Sequence, residues 1–306
     1  MHRTFTIFCI LSVVLFGCME ERKETPTKGN AAVLVAESVS PLVEQEQLKF
    51  QDLYPEAHVQ LTVMSDREAI AHFFNDTTQM IISSRPLNDE ERQVAKRTNF
   101  VFSEYKVAID GIAIIVNDMN PVKQLRTTEL DSIYSGKVTQ WKAVGGKSFP
   151  IEIALPSPND AKCEVVGQKV LHGQKFIGPT KVTRSSSEML EFVSGRPNAI
   201  GMVGIDWIDQ KKDNVRVLQL MDPSAPDSLD IKGEYFSPVQ AYLYKRYYPL
   251  TREVNIYSKA DSYSVATGFT AFITSAPGQK IVLNSGLVPA TMPIRLVQLT
   301  NKGAQQ

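Results

Sequence analysis

"QMIISSRPLNDEER" (79–92) decides the fold class of this 306-residue chain. Its apolar residues Met80 to Ile82 make a run of strand length, which ends in Ser83, Ser84 and Arg85. Pro86 follows and holds the backbone of Arg85 extended. Asn88 and Glu91 then have the spacing of a capping box, in which an N-cap side chain and a carboxylate three residues on satisfy each other's backbone N–H groups. Strand, turn and helix therefore follow one another without a linker. Arg85 stands at the turn, where it either pairs with a neighbouring carboxylate or faces a ligand.

The same unit recurs on both sides. "NAAVLVAES" (30–38) reads as a strand turning through Ser38 and Ser40 into a helix with Pro41 in its first turn. That helix sets Val43, Phe50, Leu53 and Tyr54 on one face and stops at Tyr54-Pro55. "HVQLTVM" (58–64) is a second strand, with Ser65-Asp66 capping the helix "REAIAHFF" (67–74). Later, "FPIEIALPSPND" (149–160) leads through Ser157, Asn159 and Asp160 into "AKCEVVGQKVLHG" (161–173). Strands alternating with helices predict an α/β chain with parallel strands, whose crossovers place the strand-to-helix turns on one edge. Each turn aims a helix N-terminus at that edge, and the serine hydroxyls add adaptable donors, so the four turns together with the Arg85 guanidinium read as an oxyanion cage. Any one of these turns is equally explained as plain capping, and only their recurrence points to a ligand.

Between these units the pattern changes. "DGIAIIVN" (110–117) is continuously apolar, as expected of a strand buried on both faces and suited to crossing between domains. Thr128 is expected to cap a helix through Ile133 and Tyr134 that Gly136 ends, with Trp141 in a second short element. Gly195, Gly201 and Gly204 surround a short strand where backbones approach closely. A return crossing is expected near "YFSPVQAYLY" (235–244), and one helix over "SYSVATGFTAFITSAPGQKIVLNSG" (262–286).

Composition excludes several function classes. The chain is 43% hydrophobic and 22% charged, enough for a sizeable core, and 33 basic residues balance 33 acidic ones. No overall field draws it to nucleic acid or to an anionic membrane surface. "KRYYPLTREVNIY" (245–257) is basic and aromatic but alternates like a core strand. Catalytic and metal signatures are missing: no Gly-x-Ser-x-Gly elbow occurs, Gly146-Lys147-Ser148 lacks the upstream glycine of a phosphate loop, and His58, His72 and His172 share no ligand spacing. No metal, no cofactor and no catalysis are expected. Cys163 has no cysteine partner in the mature body and no activating histidine pattern.

The N-terminus carries a different signal. His2 and Arg3 precede "FTIFCILSVVLFGC" (5–18), too short for a spanning helix and suited to an export signal. Leu15-Phe16-Gly17-Cys18 resembles the bacterial lipobox, with Phe16 bulkier than is usual there. The expectation is a signal peptide over 1–17, lipidation at Cys18 and a charged tether to residue 30.

"SSRPLNDEE" (83–91), "DGIAIIVNDMNPV" (110–122), "TTELDSIYSGKVTQWKAVGG" (127–146), "PNAIGMVG" (197–204) and "GFTAFITSAPGQKIVLNSGLVPA" (268–290), in this order, closely resemble the substrate-binding lipoproteins of bacterial phosphate ABC transporters. The resemblance runs from about Val33 to Val297. It implies a two-lobed type II periplasmic-binding-protein fold, each lobe a mixed sheet flanked by helices and joined by two crossover strands. The lobes are expected over 31–112 with 236–306, and over 113–235. It also implies an extracytoplasmic, membrane-anchored monomer that holds one phosphate in the interlobe cleft and delivers it to an inner-membrane permease. Membrane contact would be through the lipid only, with no nucleic acid as partner. Carried over by position, the ligand turns are Glu37 and Ser38; Ser65; Ser84 and Arg85; and Ser157, Asn159 and Asp160. The third turn departs from well-studied relatives, which place an aspartate before Pro-Leu where this chain has Ser84 or Arg85. The fourth reads Asn159-Asp160-Ala161-Lys162 instead of a run of serine, glycine and threonine. Asp160 is then either a substitute acceptor for the phosphate proton or an ordinary N-cap. An envelope sensor of the same fold, binding another oxyanion or no small ligand, is the alternative.

Overall fold

The computed structural model describes residues 24–75, 78–208, 214–259 and 263–291. The expected signal peptide, Cys18 and most of the expected tether lie outside the described residues, as do residues 292–306. The end of the tether is ordered: Thr25 and Lys28 bridge to each other, and the first strand starts at Gly29.

The first half alternates as the sequence predicts: β1 (Gly29–Ala36), α1 (Ser40–Leu53), β2 (Ala57–Met64), α2 (Asp66–Phe74), β3 (Met80–Ser83) and α3 (Asp89–Arg97). Then β4 (Ser103–Asn117) leads to β5 (Gln124–Arg126), α4 (Thr127–Tyr134), β6 (Glu152–Pro156), α5 (Ala161–Lys169), β7 (Lys181–Thr183), α6 (Ser186–Ser194) and β8 (Ala199–Gly204). The chain continues through β9 (Val215–Val217), β10 (Gln219–Met221), α7 (Gln240–Tyr244), β11 (Thr251–Ser258), α8 (Val265–Thr274), α9 (Ala276–Asn284) and β12 (Val288–Pro289).

One mixed sheet runs in the order β2-β1-β3-β11-β4-β8-β6-β7. β1, β2 and β3 are parallel, so their C-terminal ends share an edge. β6 and β7 are parallel to each other and to β8. β4 is the crossing strand: its first half pairs with β11, and its second half with β8 and β9. Val107 and Ala108 pack with Val33, Val35, Phe50 and Phe269 in one core, whereas Ile112, Ile114 and Val116 pack with Tyr134, Trp141 and Ile200 in another. Each core belongs to one lobe.

Several expectations shift. Val43 and Phe50 are buried as predicted, but Leu53 and Tyr54 lie in the last turn of α1, beyond its covered face, and are 47% and 38% exposed. α4 starts one residue before Thr128, because Glu129 accepts from the backbone N–H of Arg126 at 2.7 Å. The single helix expected over 262–286 is two, since Ser275 is extended and Pro277 restarts the chain in the first turn of α9. Phe236, Leu243, Tyr248 and Leu250 pack in the second lobe's core, so the return crossing falls where β11 begins, later than residue 236.

Candidate functional site

The strand-to-helix turns of the two lobes meet face to face, and what fills the space between them is a carboxylate of the chain itself. Asp66 opens α2 after Ser65, whose backbone N–H and hydroxyl both bind Glu68 at 3.1 and 2.7 Å, closing a capping box. That box fixes the first turn and turns the Asp66 side chain inward, where it is 1% exposed. Its Oδ1 accepts from the backbone N–H of Ser84 at 2.7 Å and from the Ser84 hydroxyl at 2.9 Å, and lies 3.0 Å from Ser83 Oγ. Its Oδ2 accepts from the N–H of Ala161 at 3.2 Å, the first residue of α5 in the opposite lobe. A bound anion would be held in this way, by backbone N–H groups, hydroxyls and a helix N-terminus.

A second carboxylate repeats the arrangement. Glu37, just past β1, accepts from the N–H and the hydroxyl of Ser186 at 2.6 and 2.9 Å, at the N-terminus of α6. The first lobe thus sets an acidic group on two helix N-termini of the second, where partial positive charge favours it. Arg67 N–H donates to the Asn159 carbonyl at 3.3 Å, adding a backbone bridge between the lobes.

Behind Ser84 lies a buried charge pair from the crossing strands. Arg252 on β11 and Asp110 on β4 are direct cross-strand partners, both with no exposed side-chain surface. Arg252 donates from Nε and Nη2 to Asp110 at 2.8 and 2.6 Å, and from Nη1 to the hydroxyls of Ser38 and Ser84 at 3.0 and 2.9 Å. Ser38 in turn donates to Ser84 at 2.9 Å. The guanidinium thereby polarises two hydroxyls toward Asp66. Asp206 is buried alongside, and burial followed by the charge of Asp110 pushes its carboxyl well above the usual range, against the opposing pull of Arg252 and Lys162. A β-carbon on Gly204 would lie 2.9 Å from the Ser38 carbonyl and 2.8 Å from Asp206 Oδ1, so only glycine lets the lobes meet there.

The residues expected from sequence divide into two groups. Glu37, Ser38 and Ser84 converge on the cleft with Asp160, which caps α5 through the Lys162 N–H at 2.7 Å and pairs with Lys162 Nζ at 2.9 Å. Lys162 Nζ also lies 3.7 Å from Glu37. Ser65 serves its own capping box; Ser157 and Asn159 form the turn before α5, the Asn159 N–H lying 3.4 Å from Ser157 Oγ. Arg85 turns away from the cage. It binds Glu91 in bidentate fashion at 2.8 and 2.7 Å and Glu164 of the other lobe at 3.1 Å. Glu91 does complete the capping box with Asn88, by bonds of 2.8 and 2.9 Å, and the same carboxylate takes up the arginine. The place foreseen for Arg85 is held by Arg252. Asp66, Asp110, Ser186 and Arg252 were not anticipated; the available signal was an arginine and an aspartate inside strands otherwise patterned for a core.

A cavity of about 550 Å³ opens beside this network, bounded by Glu37, Ser65, Ser157, Lys162, Arg184 and Ser186. Two lobes on a shared crossing strand, with strand-to-helix turns converging between them, define the type II periplasmic-binding-protein fold. The chain belongs to the PBP superfamily domain family, whose model matches residues 20–277. It is 26% identical over 263 residues to the phosphate-binding protein PstS of Staphylococcus epidermidis, covering 82% of this chain and 76% of that protein. With the Staphylococcus aureus protein of the same name it shares 25% over 274 residues, 86% of this chain and 79% of the relative. Among solved structures, the fold matches a putative phosphate ABC transporter substrate-binding protein with bound phosphate from Clostridium perfringens, with a TM-score of 0.74 and 24% identity over 86% of this chain and all of that one. An ABC-type phosphate transport receptor from Vibrio cholerae matches with a TM-score of 0.64 and 22% identity, over 85% of this chain and all of that one.

Proposed function

We propose that this chain is the extracytoplasmic substrate-binding component of a phosphate ABC transporter, taking inorganic phosphate between its lobes and passing it to an inner-membrane permease. The observation that carries this reading is the hydrogen-bond set around Asp66: Ser84 N–H, Ser84 hydroxyl and Ala161 N–H converge on one negatively charged group, backed by Arg252. Groups so arranged bind and orient an oxyanion, and nothing in them activates a nucleophile, so no chemistry on the ligand is expected. The family and the names of the relatives support the same reading. In this account the protein is a monomer tethered by a lipid on Cys18, and among the described residues no helix is long and apolar enough to cross a membrane.

A second reading has its own observation. The carboxylates of Glu37, Asp66, Asp110 and Asp160 crowd the cleft against the cations of Lys162 and Arg252, which disfavours a further anion and suits an envelope sensor that keeps the fold without a small ligand. Calorimetric titration of protein unfolded and refolded free of carried-over phosphate separates the two. Saturable phosphate binding by the refolded protein supports the receptor. A folded protein that binds neither phosphate nor sulfate overturns it and supports the sensor.

A further inference from the structure

The cage donors are already spent on a group of the protein. Asp66 lies in one lobe and accepts from both, through Ser84 on its own side and Ala161 on the other. Glu37, also of the first lobe, accepts from Ser186 at the N-terminus of α6 in the second. These bonds are charge-assisted and desolvated, the circumstances in which a hydrogen bond contributes most. A side chain tethered beside the cage also acts at a high effective concentration, against which a free ligand must compete.

We propose that Asp66 is an internal ligand of the cage: its carboxylate holds the lobes together, and an external oxyanion binds only in exchange for it. The proposal rests on the oxyanion-receptor reading for the identity of the competitor, but not for the hold on the lobes. Exchange involves one side chain: Asp66 sits at the first position of α2 and takes no part in the Ser65–Glu68 capping box, so its release frees Ser84 N–H and Ala161 N–H together and leaves that box in place. It is also a specificity device. Sulfate, phosphate or a small carboxylate each has to outcompete a carboxylate, and an anion making fewer bonds than Asp66 does not enter. Apparent affinity is reduced by the fraction of molecules in which Asp66 is in place.

The test uses two substitutions. Asp66→Ser removes the carboxylate and leaves a residue suited to a first helical turn. Ala161→Pro keeps the carboxylate but deletes its donor in the other lobe; proline is tolerated at the first helical position, and Asp160 before it is already extended. Lobe separation is read by small-angle scattering with and without inorganic phosphate, and phosphate affinity by calorimetry. The wild-type chain is expected to be closed without phosphate and unchanged by it. Both variants are expected to open without phosphate, and Asp66→Ser to bind phosphate at least roughly tenfold more tightly, the scale of one hydrogen bond to a charge. A wild-type chain that is open and closes on phosphate overturns the proposal, as does weaker phosphate binding in Asp66→Ser, which would make Asp66 a direct acceptor for the ligand. Opening of Asp66→Ser, with phosphate bound by neither the variant nor the wild-type chain, leaves the hold on the lobes standing and overturns the phosphate reading instead.

Discussion

Replacing Arg252 by methionine is expected to cost about 3–5 kcal/mol of unfolding free energy, because it strands a carboxylate in the interior. The structure sets the scale. Asp110 has no exposed side-chain surface; it accepts two bonds from Arg252, at 2.8 and 2.6 Å, and a longer one of 3.4 Å from the Ile205 backbone N–H. Removing the guanidinium also leaves the hydroxyls of Ser38 and Ser84 without their charged donor, at roughly 1 kcal/mol each. Asp206 nearby is itself a carboxyl, held above the usual range by burial and by Asp110, and cannot replace the lost cation. Asp110→Asn in turn strands the guanidinium and is expected to cost a similar amount. The double variant Asp110→Asn/Arg252→Met removes both charges, and its cost should fall to about 1–2 kcal/mol, since a buried pair as a whole contributes little net stability. Urea unfolding at neutral pH, with equal slopes in all forms, measures the cycle. A double variant as unstable as the two single variants summed would refute the claim that these residues act as one unit.

Three further outcomes follow from buried groups. Glu46 on α1 is 1% exposed, neither oxygen has a partner among the described residues, and burial raises its carboxyl from 4.5 to about 9. The folded form keeps the proton that the unfolded form has lost, so this group's contribution is fully present below pH 4.5 and is lost as pH rises toward 9. Glu46→Gln should therefore gain stability over wild type, on the order of 5 kcal/mol at pH 8 against about 1 near pH 5, by urea unfolding; an equal difference at both pH values would contradict it. Cys163 has its thiol pushed up to about 12 by burial and then by Asp160, so a disulfide reagent at pH 8 should react slowly with native protein and rapidly in urea; rapid native labelling would show the site to be open. Gly204→Ala places a β-carbon 2.9 Å from the Ser38 carbonyl and should cost roughly 1–3 kcal/mol in thermal or urea unfolding; a neutral substitution would mean that the lobes are less closely apposed.

What the sequence discloses is what is local. The strand, the turn and the Asn88–Glu91 capping box lie within a dozen residues, and period and cap chemistry suffice to place them. The crossing strand is legible because Ala113 to Asn117 are buried on both faces, which leaves no polar alternation. The cage is different: it is made by partners far apart in the chain. Glu37 meets Ser186, Asp110 meets Arg252, and Asp66 meets Ala161, and no periodicity links them. Arg85 shows the limit most plainly. Its position at a turn permitted either an ion pair or a ligand; Glu91 of the same stretch, already engaged as a cap, takes the guanidinium in bidentate fashion at 2.8 and 2.7 Å, and Glu164, which only the fold brings within 3.1 Å, adds a second partner. Asp66 was visible as part of a cap, but a capping position does not reveal which way the side chain turns.

The measurement that bears most directly on the account is a crystal structure of the chain grown in phosphate. A tetrahedral anion is expected on Ser84 N–H and Ala161 N–H, with Arg252 behind the two serines and the Asp66 carboxylate turned out of the cage. Asp66 still bonded to Ser84 and Ala161, with no phosphate in the cleft, would contradict it.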